Sequence, residues 1–154
     1  MDTRPIGVFD SGLGGLTAVR KLTEVLPGED IIYFGDTGRV PYGGRSRQTI
    51  LTYARQDIEF LQSLDIKAIV AACGTVSTNA LEEIESDYEL PVMGVVEAAV
   101  RRASELTRTG RVGLIATAAS VRSGTYARIL KKYVPEASLT ISSCVPAPTI
   151  VSTT

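Results

Sequence analysis

Histidine is missing from all 154 residues. That absence removes imidazole acid–base catalysis, Ser-His-Asp triads and histidine-held metals. Cysteine is scarce too: Cys73 and Cys144 are too few for a disulfide scaffold or a zinc cluster, and they suit a reducing compartment. No apolar run approaches the ~20 residues of a membrane span. The polar start Met1-Asp2-Thr3-Arg4-Pro5 leads into a strand without a secretory leader, so a cytoplasmic protein is expected. Nor is there an excess of either charge. The net of -1 gives no general pull toward nucleic acid or an anionic membrane, and Arg101-Arg102 and Lys131-Lys132 read as solvated helix faces.

What is present is a regular alternation. A hydrophobic share of 44% supplies a core for one ordinary domain or two small lobes. Strands are expected near 5–9, 30–34, 67–72, 91–95, 112–117 and 138–143, and helices near 15–26, 47–63, 78–86, 97–107 and 121–132. Ile50, Ala54, Ile58 and Leu61 paint one helical face. Gly28 and Gly110 mark helix exits. Such alternation predicts an α/β fold of mostly parallel strands covered by helices, with a seam near Gly94–Glu97.

Ligands of such sheets bind beyond the carboxyl ends of the strands. Four stretches fall there: FDSGLGG (9–15), GDTGRVPYGG (35–44), CGT (73–75) and ATAAS (116–120). Gly12, Gly14 and Gly15 match neither a dinucleotide fingerprint nor a Walker loop, and Asp10 would repel phosphate. A tight turn with glycines at positive φ explains them, but leaves Asp10-Ser11 unaccounted for at the ligand end of a buried strand. The 40–46 loop is a turn by composition. Beside Asp10 and Cys73 it could offer backbone N–H groups and the Tyr42 hydroxyl to a small polar ligand. Cys73 follows an apolar strand, with Gly74-Thr75 as a turn and Ser77 or Thr78 capping the next helix. It is either an inert core thiol or a working one whose pKa a helix N-terminus lowers.

Taken in order, IGVFDSGLGGLTAVRKL, LPGEDIIYFGDTGRVPYGGRS, AIVAACGTVSTNALEEI, LPVMGVVEAA and RVGLIATAASVRSG closely resemble glutamate racemase, from about Ile6 onward. The resemblance implies a cytoplasmic, cofactor-independent enzyme that interconverts L- and D-glutamate for peptidoglycan. Two cysteines on opposite faces of the α-carbon serve as acid and base, because a single group would return the proton where it came from. By motif, Cys73 matches the first catalytic cysteine, and Asp10 lies near the ammonium and that thiol. Asp10, Ser11, Tyr42, Gly43, Gly74, Thr75 and Thr117, with Ser120, match substrate contacts. Gly74 stands where the family usually has Asn.

Family members continue through a Cys-Thr-His motif that carries the second cysteine. The expected organisation is therefore two similar lobes, residues 1–96 and an incomplete 97–154. Cys144 matches a non-catalytic position, and Val151-Ser152-Thr153-Thr154 stands where an acidic residue is common. These 154 residues alone are expected not to racemise glutamate at a useful rate. The second reading is a non-catalytic, racemase-derived binding or scaffold module. Aspartate stays open as ligand, and the family brings a homodimer as a candidate assembly.

Overall fold

The structure, a computed structural model, describes residues 2–144; the 151–154 stretch discussed above lies outside the described residues. Strand β1 (Ile6–Asp10) has all five residues buried, as a parallel strand covered on both faces should. With β2 (Ile31–Gly35), β3 (Ala68–Ala71) and β4 (Val92–Gly94) it forms a sheet of order β2-β1-β3-β4, every pairing parallel. Asp10 ends level with Gly35, and Phe9 lies beside Ala71. The chain ends that leave this sheet are therefore close together.

Helices on both faces account for the apolar spacing. On one side, α1 (Leu16–Val25) packs Val19 and Leu22 against Ile6, Val8 and Val70. On the other, α2 (Arg47–Gln62) buries Ile50, Ala54, Ile58 and Leu61 with Phe9, Ile69 and Ala71. Each large aliphatic side chain so buried contributes ~1.5–3 kcal/mol, which outweighs the modest helix propensity of the β-branched residues. Ser46 starts α2 by accepting the Thr49 N–H at 3.1 Å.

A second sheet pairs β5 (Arg111–Thr117) in parallel with β6 (Ser138–Cys144), Arg111 opposite Ser138 and Thr117 opposite Cys144. Helices α5 (Val96–Leu106) and α7 (Thr125–Tyr133) cover one of its faces, bringing Val96, Val100 and Leu130 against Val112 and Leu139. Ile115, on the other face, is exposed. The lobe boundary drawn at 96/97 falls in the first turn of α5. Among the described residues no helix is long and apolar enough to cross a membrane.

Two elements differ from the sequence expectation. The single helix expected over 78–86 is a pair, α3 (Gly74–Asn79) and α4 (Leu81–Asp87), broken at Ala80 with φ -129° and ψ -20°. Gly74-Thr75 is thus the first turn of a helix rather than a separate loop. Ser77 and Thr78 do not cap it. Instead Ser77 Oγ donates to the Ala71 carbonyl at 3.0 Å, and Thr78 Oγ1 to the Gly74 carbonyl at 2.9 Å. The helix expected over 121–132 likewise splits into α6 (Ala118–Ser123) and α7 at Gly124, whose φ of +68° suits glycine.

Candidate active site

All four stretches singled out in the sequence leave the carboxyl ends of parallel strands: β1, β2, β3 and β5. Asp10 closes β1 and is buried. Its Oδ1 accepts the Ser11 N–H at 2.8 Å and its Oδ2 the Gly15 N–H at 2.9 Å, so the carboxylate folds its own loop back over the strand end. The glycines of that loop are not at positive φ, contrary to expectation. Gly15 is needed for space: a Cβ there would lie 2.7 Å from the Asp10 Cβ and 2.9 Å from the Ala72 Cβ. Tyr33 steadies the loop further, donating to the Gly12 carbonyl at 2.7 Å.

Cys73 is the residue before α3 and is only 3% exposed. Its thiol donates to Ser11 Oγ at 3.5 Å, which joins the ends of neighbouring strands β3 and β1. Burial pushes the thiol above its ordinary value, and the Ser11 hydroxyl opposes that push without cancelling it. Of the two readings of Cys73, a raised value goes against a thiol whose pKa the helix N-terminus lowers. A six-residue helix offers a weak dipole, and desolvation outweighs it.

Hydroxyls connect this centre to the second sheet. Thr75 Oγ1 and Thr117 Oγ1 lie 3.0 Å apart, Thr78 Oγ1 and Ser120 Oγ lie 3.1 Å apart, and Thr125 Oγ1 donates to the Thr78 carbonyl at 2.9 Å. Thr117 also caps α6. The Gly43 carbonyl accepts the Ala119 N–H at 3.1 Å. Gly43 tolerates no larger residue in place, because a Cβ would meet the Thr117 side chain at 2.7 Å.

Tyr42 departs from the sequence reading in one respect. Its ring is buried, and its hydroxyl is taken up in a cluster with Asp36, directly after β2, and with Asp57, whose Oδ2 is 3.0 Å away. The hydroxyl is thus committed and is not offered to a ligand. The Tyr42 and Gly43 N–H groups make no backbone hydrogen bond among the described residues.

Sequence reasoning passed over Asp36, Arg39 and Asp57. The available signal was Asp57 itself, a carboxylate inside the apolar stripe of α2. It also passed over Tyr126. That hydroxyl lies 3.6 Å from where a Gly74 Cβ would be, and burial together with the nearby Cys73 raises its pKa. Position 74 therefore has room for a side chain.

Known proteins carry the same architecture. The chain is 46% identical over 144 residues to glutamate racemase of Geobacter metallireducens, covering 94% of this chain and 53% of that protein. Against glutamate racemase of Syntrophus aciditrophicus it is 48% identical over 143 residues, covering 93% and 53%. The solved glutamate racemase of Francisella tularensis in complex with D-glutamate superposes with a TM-score of 0.84 at 43% identity, covering 94% of this chain and 54% of that one. That of Aquifex pyrophilus gives 0.89 at 39% identity, covering 95% and 57%. The chain thus spans about half the length of the curated relatives it matches. The Asp/Glu/hydantoin racemase profile matches residues 6–145, and the chain belongs to that family.

Proposed function

We propose that these residues form one acid–base half of a glutamate racemase site, with Cys73 as the group that exchanges the α-proton on one face. The observation that carries the reading is the meeting of Cys73, Ser11 and Asp10 at the ends of adjacent strands, next to the Thr75–Thr117 contact with the second sheet. Asp10 attracts the substrate ammonium. The Tyr42 and Gly43 N–H groups, with the Thr75 and Thr117 hydroxyls, hold the α-carboxylate, where negative charge builds as the proton leaves.

The raised thiol pKa fits this role. Burial raises the thiol's pKa and so favours the protonated form. A ligand ammonium within ~4–6 Å favours the thiolate, so substrate itself readies the base. The chemistry draws on the thiol alone and calls for no cofactor. Inversion takes a second acid on the opposite face, and Cys144 is not assigned that role. In the cell, the reading places the protein in the cytoplasm, supplying D-glutamate for peptidoglycan, with a homodimer as the proposed assembly and aspartate as the competing substrate.

The test is incubation of each glutamate enantiomer with the chain in D₂O, followed by chiral chromatography and mass measurement. Deuterium entry with retained configuration into one enantiomer is expected, and Cys73→Ala should slow it by ~10²–10⁴-fold. No exchange with either enantiomer, together with no glutamate-induced chemical-shift change at Ser11, Gly43 or Thr75, would refute the reading.

A further inference from the structure

Asp57 is hard to explain as part of a core. Its side chain is fully buried in the α2 stripe that otherwise holds Ile50, Ala54, Ile58 and Leu61. An apolar residue there would serve the packing at lower cost, since a buried charge must be compensated by partners. The partners lie in the 36–42 segment. Arg39 reaches Asp57 Oδ1 at 2.6 Å and Asp36 Oδ2 at 2.5 Å, and its guanidinium stacks 4.5 Å from the centre of the Tyr53 ring. The Tyr42 hydroxyl bonds Asp36 and Asp57 together.

From these contacts we infer that Asp57, with Asp36 and Arg39, is a positioning group that sets the Tyr42–Gly43 loop through the Tyr42 hydroxyl. The inference rests on the reading that this loop binds the substrate carboxylate. The loop is gripped at two points on either side of its free N–H groups. Behind, the Tyr42 ring is anchored by its hydroxyl to α2. In front, the Gly43 carbonyl accepts from Ala119 while Gly43 presses on Thr117. Donors fixed before the ligand arrives cost no reorganisation when it binds, which is the benefit a buried polar anchor gives in return for its desolvation. None of the three residues touches the substrate on this account. They act on where Tyr42 and Gly43 point.

The 154-residue chain is compared with Tyr42→Phe, which removes one oxygen and no charge, and with Asp57→Asn. Amide hydrogen exchange is followed residue by residue without ligand, and glutamate affinity by titration. In both variants the amides at 42–44 should exchange about tenfold faster or more while those of α2 and β1 keep their protection. The glutamate Kd should rise about tenfold, and the ligand-free alkylation rate of Cys73 should stay within about twofold of the parent. Unchanged loop exchange in Tyr42→Phe, or loosening spread evenly over the first sheet, would overturn the inference and leave the cluster a stability element. A parent chain that ignores glutamate would instead refute the proposed function, and the loop exchange would still decide the positioning role.

Discussion

Substituting Asp57 with Asn should flatten the dependence of stability on pH. In the folded chain burial lifts the Asp57 carboxyl from 3.8 to about 7. The Tyr42 hydroxyl and the Arg39 guanidinium pull it down, and the charge of Asp36 pushes it further up. Between those two values the folded chain holds a proton that the unfolded chain has released. Stability therefore falls as pH rises from about 4 to about 7, then levels off. The gap corresponds to ~4 kcal/mol at ~1.4 kcal/mol per pH unit. That is an upper bound, because the Arg39 side chain is 29% exposed and water entering there lessens the desolvation that lifts the carboxyl. Urea unfolding of the parent and of Asp57→Asn from about pH 4.5 to 8.5 isolates this group by difference. The parent should lose ~2–4 kcal/mol relative to the variant across that span. Parallel curves would mean that Asp57 is ionised throughout, paired to Arg39, and would refute the argument from desolvation.

Three other substitutions or treatments bear on the site and its support. Cys73 should alkylate slowly at neutral pH and faster as pH passes the ordinary thiol range, followed by mass measurement; rapid labelling at neutral pH would contradict a buried, protonated thiol. Gly43→Ala sets a Cβ 2.7 Å from the Thr117 side chain, so the loop must shift; glutamate affinity should fall about tenfold with little change in Tm, and an unchanged Kd would contradict the loop's role. Ile58→Ala opens a cavity between α2 and the first sheet, and chemical denaturation should report a loss of ~2–5 kcal/mol.

The alternation of strand and helix was legible because burial on both faces writes continuous apolar strands and striped helices, as in Ile6–Phe9 and in α2. It failed at α3 and α6, where Ser, Thr, Gly and Ala carry little apolar periodicity and hydroxyl-to-carbonyl bonds hold the turns. At the candidate site, the residues at strand ends could be named from their neighbours in sequence. The physical state of Cys73 could not, since it depends on desolvation by segments far away in the chain. The Tyr42 hydroxyl likewise reads as available to a ligand because one of its two carboxylate partners, Asp57, lies 15 positions on, across a turn and half a helix.

The contact between Cys73 and Ser11 joins residues 62 positions apart. No shorter piece of the chain can make it, and α1, β2 and α2 all lie in the intervening stretch. Full shielding of the thiol requires β3 to lie against β1, a parallel pairing closed over a long loop. The loss of Cys73 reactivity toward a soluble alkylating agent during refolding would therefore report the closing of the thiol's surroundings, of which the β1–β3 pairing is one part.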